Sequence, residues 1–383
     1  MIEILNKQDC CGCEACVQIC PKNCITMQAD DEGFLYPIVN KEICIGCGLC
    51  NKVCPMLQTN NTEKRPIKVV AAINNNIEQL ENSSSGGVFI VLAQHTIKNG
   101  GKVYGAAFDK NWHVKHQSAS TEKECEQFMG SKYVQSSINN TYNEAQKDLK
   151  KGKQVLFSGT PCQIAGLNNF LKKDYENLTT CDFICHGVPS PGVWSKYITA
   201  ISEQQGKITN INFRDKTNGW KNFHFYLKNE NDNLPYLHEH HRTNIYMKAF
   251  LQDIILRPSC YACKHRSGKS GSDITLADYW DLWKTNPDFD NEKGVSMVLV
   301  NTTKGETILN AISNKVATKE TSFDDVLTYQ KSWYNSPKQE SQLRNQFYKQ
   351  LKRGNNIQLS LDSVTKNTVM RKVKNKINKL LDK

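Results

Sequence analysis

No uninterrupted apolar run of about eighteen residues occurs in this 383-residue chain, and its mean hydropathy is −0.56, so no membrane-spanning helix is predicted. The opening residues MIEILNKQDC lack a basic stretch, an apolar core and a small-residue cleavage site. Export is not expected, and the cytoplasm is the predicted location. Neither a G-x-G-x-x-G turn nor a Walker A loop is present, which leaves nicotinamide and ATP sites of the usual kinds unsupported. No internal repeat appears beyond one doubled cysteine motif.

What the chain does have is cysteine: 16 in all, ten of them within the first 54 residues. Clustered thiols in a reducing compartment are metal ligands more often than disulfides. Cys10, Cys13, Cys16 and Cys20, followed by Pro21, spell C-x2-C-x2-C-x3-C-P; Cys44, Cys47, Cys50 and Cys54, followed by Pro55, spell it again. This is the bacterial two-cluster ferredoxin signature, in which each run's fourth cysteine ligates the other run's cluster. The expected ligand sets are therefore Cys10, Cys13, Cys16 and Cys54 for one [4Fe-4S] cluster, and Cys44, Cys47, Cys50 and Cys20 for the other. Zinc prefers two separated C-x2-C pairs and fits this spacing poorly. Cys11 and Cys24 have no place in the pattern, and Cys24 reads as a core thiol.

Residues 1–57 form this head, and the polar stretch 58–67 with Pro66 reads as a linker. A body over 68–350 follows, and residues 351–383 read as a basic tail. Val69 to Ile73, GKVYGAAF, QVLFSG and CDFIC read as strands, with a helix from Gly86 ended by Asn99 and Gly100. Alternating strands and helices predict an α/β body with a substantially parallel sheet, α+β overall with the head.

Cys162 and Cys185 each follow a predicted strand, at the carboxyl edge where open α/β sheets hold ligands. With Cys260 and Cys263 of RPSCYACKH they make a four-thiolate site from three segments. A third [4Fe-4S] cluster, a structural zinc and unrelated buried thiols are the alternatives. Cys181 lies about 13 Å from Cys185 at roughly 3.3 Å per extended residue, so both cannot touch one cubane. Residues 82–87, NSSSGG, offer free backbone N–H groups at a helix start, which suits a dinucleotide phosphate or simply starts the helix.

The stretches SSSGGVF, GSKYVQS, LFSGTPCQIAGL, CHGVPSPGVW, FRDKTNGW, RPSCYACK and SDITLADYW resemble the coenzyme F420 hydrogenase/dehydrogenase beta subunit family, spread over roughly residues 69 to 345. The resemblance implies an FAD-binding α/β domain with one [4Fe-4S] cluster beside the flavin. It assigns that cluster to Cys162, Cys185, Cys260 and Cys263. It also places Ser84, Ser85, Gly86, Gly87, Ser131, Lys132, Tyr133, Thr160 and Gln163 in motifs that line the flavin. Ala277 and Asp281 in LADYWD stand where the family pattern has glycines, which leaves the substrate pocket open.

His186 beside Cys185 reads either as a proton relay and the candidate catalytic residue, or as a supporting hydrogen bond. In HEHHR, adjacent histidines point to opposite faces of an extended segment, so a loop is favoured over zinc. Arg214, Lys216 and Trp220 read as substrate contacts or as an ordinary strand turn. Val369, Val373, Ile377, Leu380 and Leu381 recur at helical spacing in the stretch 364–383, whose seven basic and one acidic residues carry +6 of the formal +11. That tail docks on the body or a partner, or makes peripheral contact with anionic lipid. Three loaded clusters at about −2 each offset the remaining charge, and nucleic acid loses its support as a partner.

The reading is an iron-sulfur flavoprotein oxidoreductase with three [4Fe-4S] clusters and FAD. It passes electrons between a redox partner (ferredoxin, a deazaflavin or a larger redox complex) and a small-molecule substrate. The substrate is a deazaflavin or a polysaccharide-pathway metabolite. The alternative is a non-catalytic electron-transfer subunit.

Overall fold

Strand burial dictates the architecture. The structure, a computed structural model, describes residues 1–58, 62–230, 235–339 and 341–365, so the predicted tail stripe from Val369 to Leu381 lies outside the described residues. In the head, β1 (Ile25–Ala29) and β2 (Leu35–Val39) pair antiparallel, Ile25 opposite Val39. The two cysteine loops flank this hairpin and run into one-turn helices, Ala15–Gln18 and Leu49–Val53.

The body strands follow in chain order: β3 (Lys68–Asn74), β4 (Lys102–Phe108), β5 (Val114–Ala119), β6 (Val155–Ser158) and β7 (Leu178–Phe183). Then come β8 (Ile208–Asp215), β9 (His224–Asn229), β10 (Leu237–His240), β11 (Ile274–Asp278), β12 (Ser296–Val300) and β13 (Val316–Thr321). Eight of them form one sheet in the order β13-β3-β12-β11-β7-β6-β4-β5, and β10-β9-β8 form a second. The central strands β11, β7, β6 and β4 are parallel, while β5, β12, β3 and β13 extend the sheet antiparallel. The body is thus an α/β unit with a parallel centre and antiparallel flanks. Apolar VLV of β12 and VVAA of β3 read as continuous hydrophobic runs because both faces of these strands are covered.

Helix Val88–Lys98 covers one face of the large sheet, with Val91, Leu92, Val103, Leu156 and Cys181 in its core. On the other face, helices Thr141–Lys150 and Pro161–Leu171 pack with Tyr104 and Phe157. Head residues Cys11, Cys13, Ala15, Val53 and Met56 belong to that same core, so head and body share one apolar interior. The largest core gathers Trp194, Phe213, Phe225 and Tyr246, and includes Ile357, Leu361 and Val364. The packed body therefore runs past residue 350, through residues that sequence alone assigned to the tail. Among the described residues, no helix is long and apolar enough to cross a membrane.

Polar bonds complete the seam. Glu14 accepts from the Ile138 and Asn139 backbone N–H groups at 3.0 Å each, and Gln18 accepts from Tyr142 N at 3.1 Å. Glu32 pairs with buried Arg344. Gly33 (φ +81°) and Gly192 meet backbone to backbone, and a Cβ on Gly192 would lie 2.7 Å from the Gly33 Cα. Gly192→Ala is expected to lower stability by roughly 1–3 kcal/mol, because rigid backbone must yield to the methyl. A fall in the thermal unfolding midpoint of the full chain is the readout.

Candidate functional site

Three cavities lined by cysteine lie in series from the head into the body. Cys20, Cys44, Cys47 and Cys50 line one cavity, with Cys24 beside them. Cys10, Cys13, Cys16 and Cys54 line the next, with Cys11 and Met56 in the wall. Each run's fourth cysteine thus faces the cavity of the other run. The loops can turn this tightly because Gly12, Gly46 and Gly48 adopt positive φ of 71°, 69° and 72°. Gly12 also has no room for a side chain, since a Cβ there would lie 2.8 Å from Arg257 Nη1.

Cys162, Cys185, Cys260 and Cys263 line the third cavity, together with Cys11 and Met56. Cys162 stands in the first turn of helix Pro161–Leu171, directly after β6. Cys185 lies just beyond β7, held there by the Ile184 N–H, which donates to Leu276 O at 2.9 Å. Cys260 sits in the short turn Pro258–Ala262 and Cys263 follows it; the Val188 N–H donates to Cys260 Sγ at 3.4 Å. The cavity therefore occupies the carboxyl ends of parallel strands β6 and β7, where such sheets leave a crevice.

Burial pushes the Cys260 thiol up to about 12, and raises Cys185 chiefly by burial and then by its neighbour Cys260. These sulfurs become thiolates only when a cation offsets the cost of burying their charge. Among the described residues, no three His, Cys, Asp or Glu side chains are placed to hold a single metal ion. A zinc ion gathers its sulfurs at about 2.3 Å from one point. The cysteines stand around open space.

Cys11, a spare thiol by spacing, stands in the wall between the Cys13 and Cys162 cavities. Cys24 Sγ lies 3.4 Å from Cys20 Sγ. Cys125 and Cys181 are buried in the sheet core, away from all three cavities.

The nine residues tied to the flavin fall into two groups. Ser84–Gly87 and Ser131–Tyr133 adjoin: Ser131 N donates to Ser84 Oγ at 2.6 Å, and buried Arg214 bonds Ser84 O at 3.0 Å and Tyr133 Oη at 3.2 Å. Gly86 packs where a Cβ would lie 2.2 Å from Ala72 O. Thr160 and Gln163 form the capping box of helix Pro161–Leu171, and Gln163 also donates to Ser136. Of the nine, Thr160 lines the third cavity, and its hydroxyl is 3.2 Å from Cys162 Sγ.

His186 does not line that cavity; it bonds Asp253 Oδ1 at 2.6 Å and packs edge-on to Phe250. Arg214 pairs with Asp278 at 2.9 Å, Lys216 donates to the Leu80, Ser85 and Lys293 carbonyls, and Trp220 stacks on Trp280 at 4.6 Å. These three side chains are engaged within the fold. His238 and His240 share one face of β10 across from Tyr226 and His224, and His241 stacks on Phe223 at 4.0 Å. Met56 lines two of the cavities, while Gln135 and Arg257 bond the Cys11 and Cys10 carbonyls beside them, and the cysteine spacing gives no sign of these three. Only the RPSC context of Arg257, three residues before Cys260, hints at its place.

Fold and cavities together define an iron-sulfur protein of the electron-transferring, oxidoreductase type. Residues 9–57 and 43–89 each match a 4Fe-4S dicluster domain. Residues 152–325 match the family model for the C-terminal part of the beta subunit of coenzyme F420 hydrogenase/dehydrogenase. No curated protein matches. A chain of the F420-reducing [NiFe] hydrogenase complex from Methanosarcina barkeri, studied by xenon derivatization, aligns at 17% identity and TM-score 0.47. The alignment covers 82% of this chain and 94% of that one. A likeness that distant carries no argument about cofactor or substrate.

Asp278→Asn leaves a buried guanidinium without its carboxylate and is expected to lower stability by roughly 3–5 kcal/mol in urea unfolding. Burial holds the Lys132 amine down at about 7. The unfolded chain then binds more protons at this group between about 7 and 10.5, so the stability of wild type relative to Lys132→Met rises across that window. A pH-independent difference between the two would contradict it.

Proposed function

We propose that the chain carries electrons through three [4Fe-4S] clusters to FAD, where a two-electron substrate is reduced or oxidised. The observation that carries this reading is the shared wall: Cys11 and Met56 line both the Cys10 cavity and the Cys162 cavity, so two four-cysteine sites abut. When bound, the clusters supply one-electron transfer and the flavin couples it to two-electron chemistry.

The chain's own residues support each part. Cys10, Cys13, Cys16 and Cys54 hold one cluster, and Cys20, Cys44, Cys47 and Cys50 a second. Cys162, Cys185, Cys260 and Cys263 hold the third. Exposed Cys47, Ile43 and Ile45 put the second cavity at the surface, where a one-electron partner docks. Beyond its cysteines, Phe183, Ile184 and Trp333 wall the third cavity, which suits a flat apolar ring. Ser84–Gly87 and Ser131–Tyr133 adjoin in the turns that the family resemblance ties to the flavin, and Thr160 touches the cavity itself. His186, held by Asp253, orients the Cys185 turn and is half-exposed for proton exchange with solvent.

Iron and acid-labile sulfide analysis of the reconstituted chain tests the cluster count. About twelve irons are expected, falling to about eight in Cys260→Ser and staying at twelve in Cys125→Ser. About eight in the wild type would remove the third cluster. A holoprotein without a flavin spectrum, whose dye reduction is not restored by FAD, would remove the flavin reading.

A further inference from the structure

Three arginines are buried among the described residues: Arg214, Arg257 and Arg344. Arg214 pairs with Asp278 and Arg344 with Glu32. Arg257, fully buried, has no carboxylate at ion-pair distance: buried Glu14 feels its charge from farther off and is taken up by the Ile138 and Asn139 N–H groups. Its Nε donates to Cys10 O at 2.7 Å, Nη1 to Gln135 Oε1 at 2.9 Å, and Nη2 to Leu35 O at 2.9 Å and Cys10 Sγ at 3.5 Å. The guanidinium also lies 4.4 Å from the Tyr36 ring centroid. Every acceptor is a neutral carbonyl or amide, except the sulfur.

A buried cation satisfied only by neutral groups keeps its full desolvation penalty unless a negative charge stands nearby. Cys10 Sγ is the one partner that becomes anionic, and it does so when it ligates a metal. The same arginine begins the turn that carries Cys260, whose N–H donates to Arg257 O at 2.9 Å. Gly12 gives up a side chain to make room for this guanidinium.

We propose that Arg257 is the built-in counterion of the cluster held by Cys10, Cys13, Cys16 and Cys54, and that its charge raises that cluster's reduction potential. The proposal rests on the reading of that cavity as a cluster site. Reduction adds one electron and no proton, taking the cluster with its four thiolates from about −2 to about −3. A fixed positive charge at hydrogen-bond distance from a ligand sulfur favours the more negative state. Arg257 is thus a positioning and tuning residue, acting through Cys10.

The test is an anaerobic redox titration of the iron-loaded full chain with dithionite, followed by electron paramagnetic resonance, in wild type, Arg257→Lys and Arg257→Gln. Iron and sulfide content is measured first. A wild-type chain that takes up no iron in its head overturns the cluster reading and this proposal together. With loading equal, Arg257→Gln is expected to move the oxidised-to-reduced equilibrium of one head cluster at least tenfold toward oxidised, about 59 mV lower for one electron, with a smaller shift in Arg257→Lys. An unchanged potential in loaded Arg257→Gln, or an equal shift in Arg257→Lys, overturns the counterion role alone. Where Arg257→Gln does not load, Gln135→Glu sets a carboxylate against Nη1 with Arg257 in place. The same downward shift is expected there, and its absence in the loaded variant overturns the proposal.

Discussion

A buried guanidinium must find acceptors, and Arg257 takes most of its own from the head. Its bonds to Cys10 O, Cys10 Sγ and Leu35 O pin the first cysteine loop and β2 against the turn that carries Cys260. Gln135 extends the clamp by donating to Cys11 O at 3.0 Å. The head is therefore part of the body's interior, and the order of the cavities follows from that contact. Loss of the clamp would leave a buried charge unpaired and open the wall formed by Cys11 and Met56.

The sheet sets the other side of the arrangement. Because β6 and β7 run parallel, Cys162 and Cys185 emerge at the same edge, and the loop 258–263 closes over them. Helix Pro161–Leu171 leans on the head through Gly166, where a Cβ would lie 3.0 Å from Cys13 Sγ. A small residue at that point lets a cysteine of the head approach the helix that begins at Cys162. Close packing and the cysteine sites thus depend on the same few positions.

Much of this was legible in the residue order. The doubled C-x2-C-x2-C-x3-C-P run depends on local spacing, and local spacing survives folding. The strands at 102–108, 155–158 and 178–183 announce themselves by apolar runs bounded by glycine and polar turns. Antiparallel β3 was less visible in its pairing, because its neighbours β12 and β13 come from the far end of the body. Arg214, Lys216 and Trp220 look like binding groups in sequence but are held by Asp278, backbone carbonyls and Trp280. Charge and aromaticity alone do not say whether a side chain faces a ligand or a carbonyl.

Residue order alone pointed to the two head cysteine sets, the α/β alternation and the four body cysteines, since each is a matter of residue type at short range or at strand ends. Folding in three dimensions was needed to set Cys11 and Met56 between two cavities, to turn His186 to Asp253, and to bring Arg257 to Cys10. Those contacts join residues tens to hundreds of positions apart. They are selected by burial and hydrogen-bond satisfaction across the whole interior, which no local pattern records.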